Sequence, residues 1–468
     1  MQLREELHAA RIESPAESHR FFIPESDKTA IITKDLITKE ILATNVGLDY
    51  ASARSQASLA FEHAKNVFAI LAYLGKGAKI CELLREGISD DDLPFQRSRH
   101  EDRKCNFSLQ RNNGGKIEVL EQWDSGELES MGRKQWHLLA PVFEDMEHLK
   151  LHKNVTLPFL SLGEEEQEQK TPSGGGYSED QHPKIAIKRL RDNNEDDFKK
   201  EADILTTLGR KANVTPHLVK LLATYEYDGM YHLIFPRANC NLRKYWSNRP
   251  EPSFNRKTAL WSLQQMAGIA QGLNTIHNFR VTIPLDVENK VRSPQYGVKL
   301  SVEKGEELFG RHGDIKPENI LWFEHIPGYE NDGQGILQIT DFGLGRFHGR
   351  DSRTEQYPHG VFGSPTYEPP ECKLHRPVTR TYDLWSLGCL YLEFATWLLI
   401  GFDAIEEFSE KRGRPSSLDS RFSDDYFFTV IRDEGKMPRH AKAFTGASEP
   451  AYISLKLGTG DPHGRSLA

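Results

Sequence analysis

The 468-residue chain has little of what would assign its class at a glance. Its five cysteines, Cys81, Cys105, Cys240, Cys372 and Cys389, lie far apart with no C-x-x-C pair. That argues against a structural zinc site, and so sparse and odd a count fits a reducing compartment. There is no excess of basic charge: 60 Lys and Arg stand against 68 Asp and Glu, a formal net charge of −8. The basic footprint of a nucleic-acid binder is therefore missing, and no nucleic-acid partner is expected. The histidines show no metal-ligand spacing, and no internal repeat is found. The opening residues, "MQLREELHAARIES", are charged and lack an apolar h-region, so no secretory signal is read. An intracellular protein, cytoplasmic or nuclear, is expected. One hydrophobic run approaches membrane-spanning length, "LWSLGCLYLEFATWLLIGF" at 384–402. Glu393 in its middle and Asp383 just ahead of it favour a buried core helix, with no membrane contact.

Hydrophobic residues make up 38% of the chain and aromatics 10%, enough for a large core spread over two or three domains. Residues 1–20 are polar and expected to be mobile. From residue 21 to about 150 apolar residues recur at helical spacing. The clearest run is "LAFEHAKNVFAILAYL", with Phe61, Ala64, Val67, Phe68 and Leu71 on one face. This region carries no catalytic constellation and reads as a support or interaction module, with a protein as its possible partner. The acidic run "GEEEQEQK" at 163–170 reads as a solvated loop. Strand-like pieces follow, "KIAIKRL", "HLVKLLATYEY" and "MYHLIF", the last two around a turn at Asp228-Gly229. A helix-like piece, "EDDFKKEADILTTLG", lies between them, and beyond residue 255 helices dominate.

The densest chemistry is "RHGDIKPENILWF", residues 311–323. Asp314, Lys316 and Asn319 fall within six positions. A phosphoryl-transfer site needs a carboxylate to orient and deprotonate a hydroxyl, a cation beside the moving phosphoryl group, and an amide oxygen to help hold a metal ion. These three residues supply all three. Asp341, in "ITDFGLGRF" and 22 residues after Asn319, follows a β-type run and sits where the chain turns. That suits a ligand of Mg²⁺, which takes few carboxylates alongside phosphate oxygens and water.

Across much of residues 170–405 the sequence resembles, in register, the eukaryotic protein kinases of serine/threonine type. A narrower likeness is to fungal protein-kinase-domain proteins with a helical N-terminal region. The resemblance implies an α+β, two-lobed protein-kinase fold, with a small β-rich lobe carrying one helix and a large helical lobe. It implies ATP and Mg²⁺ as cofactors and a protein substrate phosphorylated on serine or threonine. The glycines of "SGGGYSED", Gly174, Gly175 and Gly176, would face the phosphates. Lys188 in "IAIK" would contact them, held by Glu201 in "FKKEADIL". Phe235 would guard the adenine pocket and Pro236 to Ala238 would form the hinge, with Asn241 beyond it among the nucleotide contacts. Asp314 would be the base, Lys316 its electrostatic partner, and Asn319 and Asp341 the Mg²⁺ ligands. Leu205, Leu221, His312 and Phe342 would form a hydrophobic column, which gives His312 a structural rather than a catalytic role. Asp383 in "YDLWSLGC" would anchor the catalytic loop's backbone. Lys316 together with Ser364 in "GSPTYEPPE" favours serine/threonine over tyrosine. The expected divisions are a flexible N-terminus (1–20), a helical region (21–150), the small lobe (155–238), the large lobe (239–445) with a charged insert at 280–310, and an irregular tail (446–468).

Three departures open a second reading. Gly313 stands where the family has an arginine before its catalytic aspartate, so phosphorylation at Ser352, Thr354 or Ser364 lacks its usual receptor. With Tyr177 at the loop tip, only Ser178 to Pro183 remain before the strand starting at Lys184. Six residues at roughly 3.3 Å each span about 20 Å, too little for a strand, a turn and a return. The second strand should therefore be shortened, and the glycines are either a phosphate loop or a plain flexible one. Finally, the segment after residue 445 has no helical periodicity, and no arginine partner for Glu371 is found. The alternatives to an active enzyme are a catalytically weak or inactive kinase-like scaffold, or an incomplete version of a longer relative.

Overall fold

The computed structural model describes residues 2–15, 17–44, 47–99, 107–162, 172–174, 184–190, 198, 202, 205–206, 215–278, 280–282, 307–309, 311–326, 329, 333–341, 365–374, 379–415, 423–431 and 440–443. It is a mixture of helix and sheet. The chain divides into two compact units, one of residues 1–202 and 221–237, the other of residues 203–220 and 238–468.

The first unit begins with a helical core. Helices α1 (Gln2–Ala9), α2 (Glu25–Ile31), α3 (Lys34–Thr44), α4 (Tyr50–His63), α5 (Lys65–Tyr73), α6 (Ile80–Arg85) and α7 (Ser125–Lys134) contribute to one hydrophobic cluster. Residues 2–9 are thus helical, not mobile. Leu3 and Leu7 sit one turn apart and are 3% and 0% exposed, so burying this stripe orders a segment whose other positions are polar. The run expected as one helix through residue 74 breaks at Ala64 (φ −142°, ψ 36°). Beyond the break every residue from Val67 to Tyr73 is buried, so α5 is a central helix and not an amphipathic one. Caps explain where these helices start. Asp49 accepts the Ser52 amide at 2.9 Å, Asp124 and Glu127 form a reciprocal capping box, and Asp90 takes the Asn66 and Val67 amides at the start of α5.

Short strands β1 (Ile12–Glu13) and β2 (Phe21–Phe22) pair antiparallel, as do β3 (Gln96–Arg99) and β4 (Phe107–Gln110). The main sheet of this unit has the order β5-β9-β10-β8, with β5 at His148–Lys150, β8 at Ile185–Arg189, β9 at Ala223–Tyr227 and β10 at Met230–Pro236. Strands β9 and β10 form the expected hairpin. Asp228 and Gly229 both take positive φ (49° and 71°), the two-residue turn that matches strand twist. Strand β5 joins parallel to β9, so the sheet starts before residue 155 and belongs to the same unit as the helices. Arg20 ties the two parts together by donating to the Lys153 and Val155 carbonyls and to the Tyr227 hydroxyl, which itself donates to Glu17 at 2.7 Å.

A separate hairpin precedes the lysine strand. β6 (Phe159–Leu162) pairs with β7 (Pro172–Gly174) through Phe159↔Gly174 and Leu162↔Pro172. The chain joining these strands is therefore residues 163–171, and Gly174 lies inside a strand instead of at a hairpin tip. The hairpin is built from residues up to and including Gly174, so the six residues after Tyr177 need not supply a second strand. Gly175 and Gly176 lie outside the described residues.

In the second unit β11 (Cys240–Asn241), β14 (Ile320–Phe323) and β15 (Ile336–Ile339) form a three-stranded sheet. Strands β12 (Arg280–Thr282) and β13 (Glu307–Phe309) pair within the expected insert. The helices are α8 (Leu242–Ser247), α9 (Arg256–His277), α10 (Pro370–Lys373), α11 (Thr381–Ile400) and α12 (Phe402–Arg412). Helix α9 lies directly on the sheet. A Cβ on Gly268 would come within 1.9 Å of the His217 ring, and the His217 Nδ1 donates to the Leu337 carbonyl at 2.7 Å. Gln265 accepts the Leu337 amide, and the Trp261 indole donates to Gly335. Helix α11 is the apolar run, long and apolar enough to cross a membrane. Its Asp383 and Glu393 are nevertheless 0% and 1% exposed and have charged or hydrogen-bonding partners inside the protein, as buried carboxylates require.

Because Leu7 is fully buried, Leu7→Ala should cost about 2–5 kcal/mol in urea unfolding of the first unit. A substitution in a mobile terminus would stay within about 0.5 kcal/mol. A value in that smaller range would mean α1 is not part of the core.

Candidate active site

The site is built on one buried carboxylate. Asp383, in the first turn of α11, accepts the His312 amide at 2.8 Å through Oδ2 and the Gly313 amide at 2.7 Å through Oδ1. The His277 Nε2, from the last turn of α9, donates to Oδ2 at 2.7 Å. Burial pushes the Asp383 carboxyl upward, but the His277 hydrogen bond and the Gly313 amide together hold it below its ordinary value. It therefore stays ionised and clamps the backbone that carries the candidate base. Between those clamped amides the chain reverses, and Gly313 takes φ +82°. That is the left-handed region, which glycine enters without strain, so the residue that departs from the family pattern suits the turn it makes.

His312 is 0% exposed and structural. Its Nδ1 accepts the Asp314 amide at 3.2 Å and its Nε2 donates to the Thr340 carbonyl at 2.9 Å. The two bonds together require the neutral ring with its proton on Nε2. The Asp314 carboxylate, with the residue 8% exposed, receives Lys316 Nζ at 2.9 Å and Asn319 Nδ2 at 2.9 Å, both on Oδ2. Asn319 Nδ2 also donates to the Asp314 carbonyl at 2.8 Å, which closes the loop on itself. The three residues singled out in the sequence are brought into direct contact.

Asp341 comes to the same neighbourhood through the sheet. Ile320 on β14 pairs with Ile339 on β15, and the Thr340 amide donates to the Asn319 carbonyl at 3.0 Å. Asp341 follows at once, exposed and at φ +63°. A left-handed non-glycine residue stores some backbone strain.

The remaining expected residues are placed more simply. Lys188 lies half-buried in β8, opposite Leu233 of β10. Pro236 ends β10, and Ala238 begins the stretch leading to α8. Asn241 is a helix cap: its Oδ1 accepts the Lys244 amide at 2.9 Å. Leu205 and Leu221 are buried at 2% and 1%. Glu201, Phe342, Ser352, Thr354 and Ser364 lie outside the described residues.

The sequence reading missed several groups. His277 and Thr340 carry no motif of their own, and only their contacts reveal them. Glu393 is also bound from both sides: Arg243 approaches Oε2 at 3.1 Å, Arg412 approaches Oε1 at 3.5 Å, and the Tyr367 hydroxyl donates to Oε2 at 2.8 Å. Arg412 in turn grips Asp425, its Nε at 2.6 Å from Oδ1. Arg243 also reaches Glu318 at 3.2 Å, which connects this network to the loop of Lys316. Beside it opens a cavity of about 690 Å³, whose lining includes Lys316, Glu318, Tyr367 and Glu410.

A carboxylate in contact with a lysine and an amide, and a second carboxylate at the adjoining strand end, are residue types that a phosphotransfer site needs. Comparison with known proteins agrees. Residues 309–410 match the protein kinase domain family. The chain is similar to the MAP kinase kinase kinase win1 of Schizosaccharomyces pombe, 34% identical over 111 residues, covering 18% of this chain and 7% of that protein. It is also similar to the serine/threonine-protein kinase nekl-2 of Caenorhabditis elegans, 35% identical over 82 residues, covering 18% of this chain and 20% of the relative. The chain thus spans a fifth or less of the length of these curated relatives. Residues 309–410 are therefore similar to the protein kinase domain.

Asp383→Asn keeps the shape but replaces one accepting oxygen with a donor, leaving one of the two loop amides unpaired at a cost of about 1–3 kcal/mol. Amide exchange at His312 or Gly313 should accelerate. Unchanged exchange at both would mean that the carboxylate does not hold the loop. Since the native carboxyl is held below its ordinary value, its contribution to stability is complete above about pH 4 and is lost as pH falls through the native pKa. Loop protection should therefore fade only in acid.

Proposed function

We propose that this protein is a serine/threonine protein kinase that transfers the ATP γ-phosphoryl group to a protein hydroxyl. The observation that carries the reading is the contact of Asp314 with both Lys316 and Asn319. Asp314 orients and deprotonates the acceptor hydroxyl, while Lys316 holds the carboxylate and adds positive charge beside it. The donor chemistry fits Mg²⁺. Asn319 spends its amide nitrogen on Asp314, which turns its amide oxygen to other use, and Asp341 adds an exposed carboxylate. Among the described residues no three His, Cys, Asp or Glu side chains gather as a metal site. That is compatible with an ion held largely by phosphate and water. When bound, the ion would neutralise phosphate charge; Asn319 and Asp341 would hold it, and Lys188 would contact the nucleotide phosphates.

The two-lobed kinase arrangement and the protein nature of the acceptor belong to this proposal. A second reading, a weak or inactive kinase-like scaffold, is favoured by one observation. The β6–β7 hairpin is joined by "GEEEQEQKT", residues 163–171, and Gly174 lies within β7. Backbone amides of a glycine loop attract phosphate, whereas four glutamates repel it.

Purified protein is incubated with Mg²⁺, γ-labelled ATP and a basic acceptor protein, beside Asp314→Asn. Loss of the general base should lower label transfer by at least about 100-fold. Transfer that is equal in both proteins would exclude Asp314 as the base. No transfer, together with no binding of Mg-ATP by the folded protein, would favour the scaffold.

A further inference from the structure

The first unit carries a second cluster of charge that the phosphotransfer reading does not use. Arg4, His8 and Arg11 are spaced four and three residues apart, so Arg4 and His8 share a face of α1 and Arg11 continues it just beyond the helix end. The His8 ring stacks on Tyr73 with centroids 4.1 Å apart. Lys134, the last residue of α7, sets its ammonium 5.8 Å from the centre of the same ring. The Tyr73 hydroxyl bonds His137 Nδ1 at 3.0 Å, and Arg11 lies over Phe21 at 4.1 Å. Arg4 passes close to Gly75, where an added Cβ would lie in ordinary contact with its Cδ and Nη1 at 3.5 and 3.6 Å.

Like charges gathered in this way need an anion, and the described residues supply none. Arg4, Arg11 and Lys134 form no ion pair among the described residues, and the neighbouring Arg133 is paired outward with Glu129. The charged groups acting on His8, Lys134 and His137 are all cationic. Burial first, then these cations, hold all three below their ordinary values, with His137 at about 4. His8 Nε2 is buried without a hydrogen-bond partner. Two guanidiniums and an ammonium around an aromatic floor match a tetrahedral dianion better than a single carboxylate, because guanidinium forks bind phosphate oxygens in pairs.

We propose that Arg4, Arg11 and Lys134, framed by His8 and Tyr73, form a binding site for a phosphate dianion, supplied either free or as a phosphomonoester on a protein. The site is independent of the phosphotransfer residues. Full-length protein carrying ¹³C-labelled histidine rings is titrated with sodium phosphate at pH 7, against sodium chloride at matched ionic strength. Phosphate should displace the His8 and His137 signals saturably and raise the pKa of His137, while chloride should do neither. Arg4→Gln combined with Arg11→Gln should raise the phosphate midpoint at least tenfold, with Lys134→Gln as an independent variant. Both are checked for unchanged thermal unfolding. A phosphoserine peptide that binds more tightly than phosphate, while its unphosphorylated form does not bind, would assign the anion to a protein; equal or weaker binding would assign it to the free ion. Equal displacement by chloride, or an unchanged midpoint in both folded variants, would overturn the proposal.

Discussion

The carboxylate of Asp383 is the constraint on which the candidate site depends. It lies at the start of α11, fully buried, and holds two successive amides of a loop that belongs to no helix or strand. A buried charge is tolerated only when its lone pairs are occupied, and here two amides and the His277 ring occupy them. The clamp sets the turn at Gly313, and the turn sets the position of Asp314. From there local bonds suffice: Asn319 closes the loop onto Asp314, and the Thr340 amide joins it to the strand end at Asp341. Positioning is most of what phosphotransfer asks of a protein, so a rigid backbone anchor is itself part of the chemistry.

How much of this could be read from the sequence depended on whether a residue's role was local. Asp314, Lys316, Asn319 and Asp341 stood out because the proposed chemistry needs fixed residue types at short spacing, and the loop brings Lys316 and Asn319 onto Asp314. The Asp228-Gly229 turn was legible for the same reason, since its two positive φ values are a local demand. Pairing was not legible. The glycines drew attention by composition, yet the hairpin is made by Phe159–Leu162 with Pro172–Gly174, a register fixed by partners and not by either segment alone. The parallel joining of His148–Lys150 to β9 could not be read for the same reason. Asn241 shows a different limit: an asparagine before a helix is a cap unless something competes for its oxygen.

The helical N-terminal region meets the strands that follow it through specific side chains. Arg20 and Glu17 meet at the Tyr227 hydroxyl at the end of β9, and the Trp136 ring stacks on His152 at 4.5 Å. Burial, and then Glu17, push the Tyr227 hydroxyl up to about 12, so it remains a neutral donor to that carboxylate. Helical core and sheet share one unit, and a change in the helices has a direct mechanical path into the strands beside Lys188.

The tension between an enzyme and a scaffold comes down to where the chain's charges suit phosphotransfer and where they oppose it. Asp314 is paired with Lys316 and Asn319, and an isolated change among them would leave buried charge uncompensated. Retaining them therefore also serves folding, so their presence alone does not establish turnover. The joining segment of the β6–β7 hairpin instead carries four glutamates, a charge opposed to that of phosphate. Nucleotide affinity is thus the quantity that separates the two readings.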